Sequence, residues 1–443
     1  MLFRSFQNVA QKWVAPQDLL TDVEIPNGSN NVDDSSLGED FWQQVYPMVV
    51  PEPSLQSGLI TSVFGGLQSV LAREFNAKQN SFFEERKNNI KDSELKATIA
   101  SDLLPAITTF LERYNGPNLS QGRLNLAATT VENLAIFAGG VNAEAEISDR
   151  VDIFEYQDGT LVRKEHNLKL SVGRQDLVAT TVGNLAIFAG GTDGGYLDVV
   201  DVFAYQNGTL VKKEHNLKLS VGCSHLAATT VGNLAIFAGG MTSEDFSDVI
   251  DVFAYQNGEL VKKEHNLNLS EARSRLAATT VGNFAIFAGG STPNYLDVVD
   301  VFAYQNGTLV RKELNLNLSE ARSFFAATTV GDLAIFAGGF DDKDNYSDVV
   351  DVFEYQNGTL VKKEHDLELS VPRSRLAATT VGNLAIFAGG YHDHILDAVD
   401  VFEYQHNSLV KKERKLELSE ARRDLPATTV GNLASRGTTK LVT

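Results

Sequence analysis

The sequence predicts an all-β propeller of six four-stranded blades, preceded by a small α-helical segment, and three observations carry that prediction. Gly-Gly pairs recur at 139/140, 190/191, 239/240, 289/290, 338/339 and 389/390, a period of about 50 residues that belongs to arrays and propellers. Within each period, runs rich in Val, Ile, Phe and Thr are separated by Gly and Asn turns, a spacing that fits short strands and excludes a helical solenoid. The runs are apolar at nearly every position instead of alternating, so both faces of each small sheet must be covered.

The second unit shows the elements in order. LVATTV forms a first strand up to Val182, Gly183-Asn184 a turn, and Leu185 to Ala189 a second strand closing on Gly190-Gly191. VVDVFAY is the third strand, and an Asn207-Gly208 turn leads into the fourth, LVKKEHNLKL. Asn-Gly between apolar runs is a strong hairpin signal because both turn residues must accept positive φ.

Upstream of the repeats the pattern differs. In the N-terminal arm, residues 1–57, an apolar stripe over residues 2–14 with Arg4 and Lys12 off it reads as a short helix docked on its own protein; a targeting or membrane-surface helix is the alternative. Two cations make a weak surface anchor. Residues 15–57 are rich in Pro, Asn, Asp and Ser without periodicity and read as a linker. Residues 58–120 form the helical segment: Leu59, Ile60, Val63, Phe64, Leu67, Val70, Leu71 and Phe75 keep helical spacing, as do Ile99, Leu103, Leu104, Ile107, Phe110 and Leu111. Two or three helices of this length are marginal alone, so they are expected to pack on the larger domain or on a partner.

The propeller occupies 121–443 and ends in a truncated seventh repeat. LPATTVGNLA after Arg422 repeats the start of a unit, but SRGTTKLVT replaces the expected continuation. Unit one has its own first strand, LNLAATTV. The expectation is therefore a six-bladed ring, with the tail strand either unpaired at the junction or displacing that first strand, since an incomplete seventh blade leaves open backbone edges.

At this point the units resemble kelch repeats: an Arg, a small-residue strand, an apolar-aromatic strand closing on Gly-Gly, a loop, and a Val-acid-Val-aromatic strand. Here these are Arg174, the AATTV-like segments, AIFAGG and VDVF. The resemblance covers about two thirds of the chain, in six units in register. It implies four antiparallel strands per blade and a class used mainly for protein-protein contacts, in some members for catalysis. One departure is regular: Leu161, Leu210, Leu260, Leu309, Leu360 and Leu409 stand where the family has Trp in the outer strand, so other side chains must fill the wedge between blades.

Composition narrows the function. A formal charge of -19 repels a phosphate backbone, which excludes nucleic acid as the expected partner. The single cysteine, Cys223, supports no disulfide framework. No apolar run is long enough to span a bilayer, and the N-terminus lacks a secretory core. A monomeric, cytoplasmic protein without a membrane span is the resulting expectation.

Variation among the units marks the candidate site. The turns inside the blades barely change, whereas the segments after Gly-Gly (TDGGYLD, MTSEDFSD, STPNYLD, FDDKDNYSD, YHDHILD) and those leading into each first strand (GRQD, GCSH, ARSR, ARSF, PRSR) vary strongly. In an up-and-down blade both connections emerge on one end, and loops on a rigid scaffold carry function. Arg123, Arg174, Arg273, Arg322, Arg373 and Arg422 recur before the first strands, with Cys223 in the third unit. A ring of guanidiniums suits carboxylate or phosphate groups; the alternative is that each Arg pairs with a nearby Asp and fixes its blade. Tyr196, Tyr295, Tyr346 and Tyr391 in the variable loops complete the ligand-binding candidates.

Other constellations carry less. Asp341, Asp342, Asp344, Asn345 and Asp348 crowd one loop but lack the Gly of a helix-loop-helix calcium site. His392 and His394 are too few for zinc. His166, His215, His265 and His365 sit one per blade and do not converge, and Cys223 with His225 lacks an orienting third group. No catalytic residue, metal or cofactor is therefore assigned. The reading is a non-enzymatic platform that binds a protein or peptide through its loop face; the alternative is a carbohydrate- or anion-binding propeller, or a propeller enzyme, with its site at the channel mouth.

Overall fold

A computed structural model describes residues 117–430 and 433–436, apart from 158–159, 342, 344 and 413–415. The expected N-terminal arm and most of the helical segment lie outside the described residues. The six repeats form six four-stranded antiparallel blades, each a simple meander. In blade two the strands are Val178–Val182, Leu185–Ala189, Val200–Gln206 and Thr209–Lys212. The first pair is in register from Val178 opposite Ala189 to Val182 opposite Leu185.

Burial of both sheet faces follows the apolar runs. Every residue of the second strand Leu185–Ala189 is buried, because one face meets the preceding blade and the other the next. Ile136 and Ile153 of blade one thus share a cluster with Phe188 and Phe203 of blade two, where the two rings meet edge-on at 5.9 Å, a favoured aromatic geometry. A tyrosine of the third strand reaches across to the preceding blade. Tyr255 of blade three packs over Gly183 in the first turn of blade two, where a Cβ would lie 2.7 Å from the ring, and φ there is +56°. Tyr304 does the same over Gly232.

The ring is closed by two circular hydrogen-bond systems. Threonine pairs tie neighbouring first strands at 2.7–2.8 Å: Thr129 to Thr181, Thr180 to Thr230, Thr229 to Thr280, Thr279 to Thr329 and Thr328 to Thr380. The tail then enters the circle, since Thr379 bonds Thr429 and Thr428 bonds Thr130, each at 2.7 Å. The tail does not lie unpaired, and it does not displace unit one's first strand. Ala427–Val430 and Leu433–Arg436 form their own hairpin, packed between the first strands of blades six and one. Six complete blades plus this two-stranded sector therefore make a ring with seven inner positions. The physical reason is that the tail supplies the same threonine pair and the same apolar first strand as every other unit, so it satisfies both neighbours.

Candidate functional site

The second circular system defines the mouth of the channel. Just before each first strand, a backbone N–H donates to the carbonyl of its counterpart in the preceding sector: Asp176 to Asn125, His225 to Asp176, Arg275 to His225, Phe324 to Arg275, Arg375 to Phe324, Asp424 to Arg375 and Asn125 to Asp424, at 2.8–3.3 Å. All seven residues have φ between 50° and 56°, a left-handed conformation that non-glycine residues rarely adopt. Each lies two positions after the recurring Arg or Cys. The scaffold thus repeats while the displayed side chains are Asn, Asp, His, Arg, Phe, Arg and Asp.

Those side chains sort by charge around the circle. Arg275 and Arg375 stand on either side of Phe324 in sequence around the ring, their guanidinium carbons 4.7 and 4.5 Å from its centroid. Arg375 also donates to both carboxylate oxygens of Asp424 at 3.2 Å. On the other arc, His225 Nε2 lies 3.5 Å from Asp176, and His225 Nδ1 lies 3.0 Å from Ser224 Oγ. A depression of about 210 Å³ opens between His225, Arg275, Phe324, Arg375 and Asp424, floored by leucines and Phe325.

Charges of both signs crowd the half-buried mouth. Burial, then the carboxylate of Asp424, pushes Asp176 up to about 6. Burial, then the two arginines, pushes His225 down to about 4, so its imidazole is neutral at pH 7. Arg275 is lowered by burial and next by Arg375. Perturbed groups gathered in a cleft are a mark of functional sites. Because Asp176 titrates higher folded than unfolded, its relative stabilisation is present below the unfolded value and is lost as pH rises through about 6. Asp176→Asn is expected to stabilise the fold by about 1–3 kcal/mol at pH 7.5, with the gain vanishing near pH 4. Denaturation midpoints across that range check it; a pH-independent effect refutes it.

The recurring arginines take a different place. Arg123, Arg174, Arg273, Arg322 and Arg373 are buried and pair with the third-strand aspartates Asp152, Asp201, Asp300, Asp351 and Asp400. Arg174 also donates to the carbonyls of Val172 and Phe188 at 3.0 and 3.2 Å. Here they clamp five of the six blades, the arrangement that the alternative sequence reading describes. Arg422 is likewise buried.

Blade three departs from this pattern. Cys223 replaces the Arg, and a cavity of about 10 Å³ remains beside Asp251 and Ser247. Burial pushes the Cys223 thiol up to about 12, so it carries no thiolate at neutral pH, the form a nucleophile needs.

The loop tyrosines lie on the same end as the mouth. Their loops pair with the segments before the first strands, as in Gln175 with Thr192 and Ser374 with Tyr391. Tyr196 is exposed, and Tyr295 and Tyr196 both act electrostatically on Arg275. Tyr346 stacks on His392 and lies tilted against Phe340, each at 4.6 Å, and is 5.9 Å from Tyr391. Arg423 lies over Tyr391 at 4.9 Å. His392 is further fixed by a 2.6 Å contact between Nδ1 and the Pro372 carbonyl. His166, His215, His265 and His365 each accept a backbone hydrogen bond at Nδ1 from the residue two positions on. Asp341 caps its own loop through Lys343 and Asn345, while Asp342 and Asp344 lie outside the described residues. Among the described residues no cluster of His, Cys, Asp or Glu has the arrangement of a metal site, and no helix is long and apolar enough to cross a membrane.

Comparison with known proteins supports the architecture alone. The solved structure of YjhT superposes with a TM-score of 0.51 at 14% identity, covering 67% of this chain and 99% of that one. No protein-family profile matches the chain, and no curated protein matches it.

Proposed function

We propose that the chain is a non-enzymatic binding platform, with kelch-type repeats, that engages a protein or peptide through the rim of its loop face. The observation that carries this is the aromatic run Phe340, Tyr346, His392 and Tyr391, which spans the variable loops of two adjacent blades and continues to Arg423. Aromatic and Arg side chains on a rigid support supply much contact area at low entropic cost, the composition of binding hot spots. Peptides selected from a random display library on the intact protein test it. Joint Tyr346→Ala and Tyr391→Ala replacement is expected to weaken the selected peptides at least about tenfold, while Thr209→Ala with Thr359→Ala at the opposite turns leaves them unchanged. Equal loss from both ends overturns the assignment.

The alternative reading, an anion-binding site at the channel mouth, is favoured by a separate observation. Arg275 and Arg375 converge on Phe324, and no ion pair of Arg275 is found among the described residues.

A further inference from the structure

The depression at the mouth is lined by one guanidinium more than it has carboxylates. Its charged side chains are Arg275, Arg375 and Asp424, and Arg375 is already joined to Asp424 by two hydrogen bonds of 3.2 Å. Arg275 is left over. It lies over the Phe324 ring at 4.7 Å, and its buried Nε has no hydrogen-bond partner among the described residues. Asp176 does not line the depression and is engaged by His225 at 3.5 Å. Beneath the charged groups the floor is apolar, formed by Leu226, Leu276, Phe325, Leu376 and Leu425, all buried. The remaining polar side chain of the lining, His225, faces Asp176 and Ser224.

We propose that the depression binds a small monocarboxylate with an apolar body, its carboxylate on Arg275 beside Phe324 and its body on the leucine floor. The assignment rests on the anion-site reading and adds the chemistry of the rest of the ligand. Carboxylate on guanidinium is a strong, charge-assisted contact, and it gains further where the site is half-buried and the local dielectric is low. A single negative charge fits, because Asp424 lines the same depression and repels a second one. A sugar acid fits poorly, since hydroxyl groups laid on leucines lose their water and gain no partner. Size supports a body of a few carbons, because about 210 Å³ is below the range of drug-sized pockets.

Calorimetric titration of the intact protein with 4-methylpentanoate, the corresponding alcohol and glucuronate tests it, the alcohol lacking the charge and the sugar acid the apolar body. 4-Methylpentanoate is expected to bind at least about tenfold more tightly than either. Arg275→Met should bring the acid down to the level of the alcohol, with a thermal melt to establish that the variant folds. If it does not fold, protection of Arg275 from phenylglyoxal by 4-methylpentanoate, read by peptide mass spectrometry on the unaltered protein, places the ligand instead. N-acetyl-leucine presents the same chemistry as a peptide C-terminus: binding at least as tight as 4-methylpentanoate means that a peptide end supplies the carboxylate, and weaker binding means a free acid. Glucuronate bound as tightly as 4-methylpentanoate, with both lost in Arg275→Met, overturns the apolar class and leaves the anion site standing. An acid no tighter than its alcohol, or no protection of Arg275, overturns the inference. Failure of 4-methylpentanoate, glucuronate and inorganic phosphate alike at millimolar concentration overturns the anion site as well.

Discussion

Deleting residues 423–443 is expected to lower the melting temperature by about 10 °C or more. The deletion removes Thr428 and Thr429, which complete the threonine circle, and Asp424, whose carbonyl and amide complete the ring at the mouth at 3.1 Å each. It also uncovers the flanks of blades one and six, where the buried Leu425 and Val430 pack. Losing several hydrogen bonds and two buried side chains costs several kcal/mol, and a shift of this size follows for a domain of some 300 residues. Thermal unfolding of the truncated and intact chains measures it. An unchanged midpoint means that six blades close without the tail.

The second large effect concerns the buried clamps. Arg273→Ala is expected to destabilise the protein by about 3 kcal/mol, because it leaves the buried Asp300 without its interior partner. Asp300 keeps Arg311 at 2.6 Å and the Ser270 hydroxyl at 2.9 Å, which holds the loss near the lower end of the range for broken buried pairs. Blade three is the natural counterpart: Asp251 is held by Lys262 and by the Ser220 hydroxyl, both at 2.7 Å, with Cys223 where the guanidinium would be. Cys223→Arg is therefore expected to raise stability, by about 2 kcal/mol for a charge-assisted hydrogen bond gained in the interior. Urea midpoints for the two variants should move in opposite directions. A loss in both would show that blade three has repacked around its cysteine.

Strand order, turn positions and the six complete blades were legible in the sequence, because the Gly-Gly period and the Asn-Gly turns fix local backbone geometry that every unit repeats. The grouping of the variable loops on one end was legible too, since an up-and-down meander leaves no other choice. Tertiary structure alone decided the rest. The recurring Arg and the residue two positions later both precede the first strand, and only the left-handed φ at the second of them separates a side chain clamped inside the blade from one presented at the mouth. The seventh sector was hidden for a similar reason. Its value lies in circular bonds between residues some 300 positions apart, such as Thr130 and Thr428, and closure of a ring is a property of the assembled blades that no single repeat encodes.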